Sequence, residues 1–169
     1  MFNKLLSTLA VVLVMTAPAA SAEMNIVVLD PVRAILESDE AKVLAEAANK
    51  EMEPEIEELR VAAEEFQALQ AKLQKDGEVM SESERRKGIK DLEDMQTDLQ
   101  FGQQKLQKQT QDKRQEILQT MAPKYEKVLN DLIQIDQIDL ILSPNQLQYA
   151  NPKHDISRRV TEKLNEASD

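Results

Sequence analysis

The period of apolar residues changes several times along this chain, and the changes divide it into elements. Asn25-Ile26-Val27-Val28-Leu29 is a short β-branched run, which predicts a buried strand. Asp30-Pro31 ends it. Asp is a good helix cap and Pro fits a first helical position, so a short helix with Val32, Ile35 and Leu36 on one face is expected next. Ser38-Asp39-Glu40 then gives a cap and two acids to the start of a long helix, favourable to its dipole. From Ala41 to about Lys75 the apolar residues recur at helical spacing. Met52, Ile56, Leu59, Ala63, Phe66 and Leu73 follow alternating steps of four and three, with Gln70 in one slot. That is a heptad seam, which wants one narrow partner rather than a broad core. Pro54 predicts a kink, not a break, because the pattern continues in phase beyond it.

Lys75-Asp76-Gly77 reads as a turn, with Gly77 expected at positive φ. Ser81-Glu82-Ser83-Glu84 fits a capping box opening a return helix. On that helix Leu92, Leu99 and Leu106 take one seam position; Ile89, Gln96, Gln103, Thr110 and Ile117 are assigned to the other. The polar residues there should weaken the seam, and Gly88 and Gly102 each cost about 1 kcal/mol relative to Ala in a helix interior. Ile117, Met121, Tyr125, Val128, Leu132 and Ile133 are more apolar. The expectation is an arm stiff at its root and loose in its middle third and tip. Ile138–Leu142 is a second strand, Ser143-Pro144-Asn145 a turn, and Gln146–Ala150 an antiparallel return strand. Asn151-Pro152 breaks it, and a last amphipathic helix carries Val160 and Leu164.

The fold class is therefore α+β and mainly helical. A long antiparallel two-helix coiled-coil arm over 38–133 leaves a small β body built from 23–37 and 134–169. At 1.5 Å per residue, the ascending helix reaches roughly 50 Å. Three short strands and two small helices are marginal alone, so oligomerisation through the body is the economical solution. Ile26, Val28, Ile138, Leu140 and Leu142 are the candidates for that shared body. The physics gives no copy number.

Residues 1–22 change the picture of location. Met1–Lys4 is a short positive segment, Leu5–Met15 is apolar but too short to span a bilayer, and Ala20-Ser21-Ala22 suits signal-peptidase cleavage. A cleaved signal peptide would leave 147 of 169 residues, about one domain, as a soluble periplasmic protein. With no cysteine, the chain can form no disulfide and no lipid-modified cysteine anchor. Its formal net charge of −10 argues against nucleic acid as a partner. The charge is uneven: Ser38–Gly77 holds eleven acids and five bases, whereas Leu69–Lys90, around the tip, holds six bases and four acids.

Residues that could do chemistry are scarce. His154 is the single histidine and lies in a loop, without partners at metal-ligand or catalytic spacing. The glycines Gly77, Gly88 and Gly102 are too scattered for a phosphate loop. Carboxylate pairs such as Glu57-Glu58 and Glu64-Glu65 read as a solvated helix face. No catalytic residue, metal site or cofactor is expected, and the chain is not read as an enzyme. What remains is a compliant surface. Methionines punctuate the arm and pack adaptably. Phe66, Leu73, Met80, Met95 and Phe101 are the candidates for contact with a client chain. Arg85, Arg86 and Lys87, with Lys113 and Arg114, are weaker candidates for anionic lipid or lipopolysaccharide.

The opening NIVVLDPVRAILESDEAK and the closing IDLILSPNQLQYANPKHDISRRVTEKLN, together with the leader, resemble the Skp/OmpH family of periplasmic chaperones. The resemblance spans essentially residues 23–169 and is carried by the two ends, since the arm is low-complexity helix. It implies a jellyfish-like homotrimer whose arms enclose a cavity for unfolded outer-membrane β-barrel proteins, held without ATP. The acidic charge departs from strongly basic family members and puts long-range steering of acidic clients in doubt. The competing reading is a structural coiled-coil adaptor linking envelope components.

Overall fold

The computed structural model describes residues 24–167; the expected signal peptide at 1–22 lies outside them. The elements are β1 (Ile26–Val28), α1 (Pro31–Leu36), α2 (Asp39–Asp76), α3 (Glu82–Asp136), β2 (Leu140–Leu142) and α4 (Ser157–Glu166), with 3-10 turns at Pro144–Gln146 and Pro152–His154. The caps form where the side chains allow them. Asp30 accepts from the Arg33 N–H and Ser38 from the Ala41 N–H. Ser81 and Glu84 close a reciprocal capping box that satisfies two otherwise unpaired backbone donors. Helix α2 runs unbroken through Pro54.

Helices α2 and α3, 38 and 55 residues long, pack antiparallel as a hairpin. The pairing runs from Glu40 with Lys124 at the root, through Glu55 with Lys105, to Leu73 against Gly88 near the turn. At 1.5 Å per residue α3 spans about 80 Å, far beyond the width of the body it springs from.

The body is small. β1 and β2 pair in parallel, Ile26 opposite Leu140 and Val28 opposite Leu142, because the hairpin carries the chain out and back between them. The core joins Leu29, Ala34 and Ile35 to Val160 and Leu164 of α4 and to the root residues Ala41, Ile117, Met121, Val128 and Leu132. Helix α4 also pins the junction between α1 and α2. Thr161 Oγ1 donates to the Ala34 carbonyl at 2.9 Å, and Asn165 accepts from the Asp39 N–H at 2.9 Å. Ser157 Oγ accepts from the Asp30 N–H at 2.9 Å. These bonds satisfy polar groups where the chain turns from body to arm, so the arm's direction is set from within the core.

Three expectations are corrected. No strand forms at Gln146–Ala150: Pro144 starts a 3-10 turn instead, closed by N–H groups of Gln146 and Leu147 onto the Ser143 and Pro144 carbonyls. The second edge of β1 is taken by the segment before α4, where the Ile156 N–H donates to the Val28 carbonyl and Asp155 bridges Val28. The second strand starts at Leu140, because the Ile138 N–H turns back to the Ile133 carbonyl. Gly77 keeps right-handed angles (φ −57°, ψ −27°); the positive φ falls on Gln137, at 51°, where α3 ends.

Candidate functional site

The seam of the arm lies one residue away from the second set of positions that apolar periodicity picks out. On α3 it consists of Leu92, Leu99 and Leu106 with Gly88, Met95, Gly102 and Gln109; Gln96, Gln103 and Thr110 are exposed and Ile89 is 47% exposed. On α2 Met52, Leu59, Phe66 and Leu73 alternate with Ala48, Glu55, Ala62 and Leu69, while Ile56 is 46% exposed. The glycines mark the true register. A Cβ at Gly88 would lie 2.8 Å from Leu73 Cδ2, and one at Gly102 would lie 2.8 Å from Leu59 Cδ1. Two leucines of α2, two heptads apart, therefore sit on two glycines of α3, two heptads apart. Their cost in helix propensity is offset by a close approach that no side chain permits.

Around Leu59 and Gly102 the helices leave a groove of about 210 Å³. Its floor is apolar, from Leu59, Ala62, Leu99, Gly102 and Leu106. Its rim is charged. Lys105 Nζ reaches Glu55 Oε1 at 2.9 Å, and this bond holds the Glu55 carboxyl below the usual range, against a smaller opposing effect of burial. Glu58 on α2 and Asp98 on α3 also line the groove, and neither has a hydrogen bond or ion pair among the described residues.

Charged groups tie the two helices together nearer the root. Lys113 Nζ lies 2.7 Å from Glu51 and 3.4 Å from Glu116, and the Glu51 bond foremost raises its pKa. Lys124 pairs with Glu40. In each cross-helix pair the acid is on α2 and the base on α3, so the acidic ascending helix is matched by cations of the returning one. Beyond Glu55 no cross-helix ion pair forms among the described residues.

The side chains proposed for client contact are spread along the arm rather than gathered. Phe101 is 69% exposed, while Phe66, Leu73, Met80 and Met95 are half-buried, Leu73 against Gly88. The largest exposure of an apolar side chain near the tip belongs to Val79, at 86%. Arg85, Arg86 and Lys87 are exposed at the first turns of α3. Arg114 is exposed toward the root, and Lys113 is held by its carboxylates. Of the body residues, Val28 is buried, Ile138 and Leu142 are half-buried, and Ile26 and Leu140 are exposed opposite one another across the sheet. Beyond β1, β2 has no neighbouring strand among the described residues. Sequence reasoning missed the groove and its free carboxylates. The fourteen-residue interval between Gly88 and Gly102 was the available signal.

Among the described residues no helix is long and apolar enough to cross a membrane. Comparison with known proteins gives three findings. A model of the family "Outer membrane protein (OmpH-like)" matches residues 25–164. A Skp-like protein of Pseudomonas aeruginosa is 32% identical over 153 residues, covering 90% of this chain and 91% of that one. The crystal structure of an OmpH-like protein from Caulobacter crescentus is similar with a TM-score of 0.55 at 16% identity, over 86% of each chain, a likeness of fold. Both strands, the whole hairpin and α4 as far as Leu164 fall inside the match, and the chain belongs to the OmpH-like outer membrane protein family.

Proposed function

We propose that this protein is an ATP-independent periplasmic holdase, which takes up unfolded outer-membrane β-barrel proteins between helical arms and keeps them from aggregating. Family membership supports the chaperone role. The observation that carries the mechanism is the contrast within one chain: a small packed body bearing a hairpin of 38 and 55 residues whose distal half buries few side chains. A surface of that kind gives up little packing when it bends and keeps apolar side chains within reach of a client. The arm binds no fixed motif, which suits clients related by unfolding and not by sequence.

The body favours assembly. The outer edge of β2 has no neighbouring strand among the described residues, and Ile26 and Leu140 are exposed side by side at 37% and 44%. Unpaired strand edges with apolar neighbours are covered by further strands in stable proteins. The family resemblance supports a homotrimer joined through this body, with three arms around a central cavity. Arg85, Arg86 and Lys87 would let the arm tips meet anionic lipid or lipopolysaccharide. The adaptor reading gains one observation, the leucine-on-glycine packing, since a linking hairpin needs a defined seam.

Dilution of a urea-unfolded barrel protein separates the two. The holdase should suppress light scattering without nucleotide and form a complex of one oligomer with one client. No suppression at a molar excess of oligomer would sink the proposal. Replacing residues 63–98, which are symmetric about the turn, by a short turn keeps Leu59 on Gly102. That variant should remain an oligomer of the same size and lose holding.

A further inference from the structure

We infer that the mid-arm groove is a subsite for cationic side chains of the bound client, with arginine its best occupant. The inference rests on the holdase reading and adds to it a chemistry that the family resemblance does not supply. Four observations meet at the groove. Its floor of Leu59, Ala62, Leu99, Gly102 and Leu106 is apolar and drawn from both helices. Gly102 has no side chain, and Leu59 lies against it, its Cδ1 2.8 Å from where a Cβ would stand. Of its four charged residues, Lys105 and Glu55 neutralise each other at 2.9 Å. The remaining two, Glu58 and Asp98, are carboxylates on opposite helices with no partner among the described residues.

An apolar floor with unpartnered negative groups on both walls fits a long side chain that is apolar along its stem and positive at its head. Lysine and arginine lay their methylenes on apolar surface and keep the charge at the rim. The guanidinium carries five donors in a flat fork and can hold a carboxylate through two parallel bonds, which an ammonium cannot. An anionic segment is disfavoured twice, by Glu58 and Asp98 and by the acidic helix around them, where Ser38–Gly77 holds eleven acids against five bases. The occupant is thus an unfolded segment in which basic residues stand among apolar ones. Binding of this kind is weak at each site and repeated along several arms, as a promiscuous carrier requires.

The test uses the full-length processed protein and three short labelled peptides of the same alternating apolar residues, with arginine, glutamine or glutamate at the polar positions. Fluorescence anisotropy at low salt should rank them arginine, glutamine, glutamate. In Glu58→Gln/Asp98→Asn the arginine peptide should lose about three- to tenfold in affinity, the range for an exposed ion pair or two, and the glutamine peptide should be unchanged. The thermal melt should not move, because both side chains are exposed and unpaired. Added salt should erase the difference between variant and parent. Equal affinity for the arginine and glutamine peptides, or an equal loss of both in the variant, overturns the subsite. Failure of the holdase reading shows itself separately, as no suppression of barrel-protein aggregation by the unmutated protein.

Discussion

The root of the hairpin and its distal half are made of the same two helices, yet they are held by different means. At the root, Ile117, Met121, Val128 and Leu132 of α3 join Leu29, Ile35, Val160 and Leu164 in one core, and Met121, Leu132, Val160 and Leu164 are at most 1% exposed. Beyond Met52 nearly every seam side chain is at best half-buried, because among the described residues each helix there packs against the other alone. Two helices side by side can shield one stripe each, whereas the root adds α1, α4 and a sheet. The distal half compensates with geometry, setting leucines onto glycines so that a narrow seam still closes. One chain thereby combines a densely packed root with a sparsely packed distal surface.

Truncation of a leucine in each half should break this contrast if it is wrong. Leu132→Ala opens a hole in the packed core and should cost about 2–5 kcal/mol. Leu99→Ala removes a half-buried side chain from the groove and should cost roughly 1 kcal/mol, mostly lost solvent shielding. Urea titrations followed by far-ultraviolet circular dichroism measure both. Comparable losses would mean the distal seam is as tightly packed as the root.

The glycine layers are the sharpest test of the distal seam itself. Gly102→Leu places a large side chain where Leu59 already lies, and overpacking of this kind costs about 1–3 kcal/mol. Combining it with Leu59→Ala should return much of that loss, giving a coupling of at least about 1 kcal/mol in a double-mutant cycle. Additive effects would show that the two side chains do not share a layer. Gly88→Leu with Leu73→Ala should repeat the result closer to the tip.

These layers also show what could be read from sequence. The capping residues Asp30, Ser38 and Ser81, the hairpin and both strands were legible, since each rests on a side chain that announces its local partner. The seam was legible by half. Leu92, Leu99 and Leu106 gave one row, but the other row includes two glycines, which carry no hydrophobic signal, and the apolar Ile89 and Ile117 pulled the inferred register one position aside. The return strand at Gln146–Ala150 failed for a different reason. Its partner edge on β1 is taken by the segment before α4, a competition between distant residues that local alternation does not reveal. The groove went unread because its carboxylates, Glu58 and Asp98, lie on separate helices, and only the spacing of Gly88 and Gly102 hinted at the close approach beside them.

Where the root of the hairpin gives way to β2, α3 is capped by Gln137 in the left-handed conformation. Any residue with a Cβ is strained there, and glycine is not. Gln137→Gly should therefore stabilise the body by about 1 kcal/mol, offset slightly by a more flexible unfolded chain. A lower melting temperature would mean that the glutamine side chain has a contact worth more than the strain.

The smallest effect expected is also the one that distinguishes the two halves by pH. Glu55 in the arm and Asp155 in the body both have carboxyls held below the usual range. For Glu55 the Lys105 bond is the main cause; for Asp155, burial pushes upward but is outweighed by bonds from Ser157 and by Arg33. A depressed folded pKa means that the unfolded chain takes up protons first. Each contribution is therefore complete above the unfolded carboxylate range, near 4, and fades as pH falls through the lower folded value. Glu55 keeps over a third of its side chain in solvent, so its share is small and screened by salt. Spin labels across the arm beside Glu55 and Lys105 should report a wider distance distribution on acidification below pH 4, and in Glu55→Gln that wider distribution should already be present at pH 7. The body, whose Asp155 is less exposed and more richly bonded, should hold its distances to lower pH. If both regions loosened together, the hairpin and body would behave as one cooperative unit, and the arm could not yield while its anchor stands.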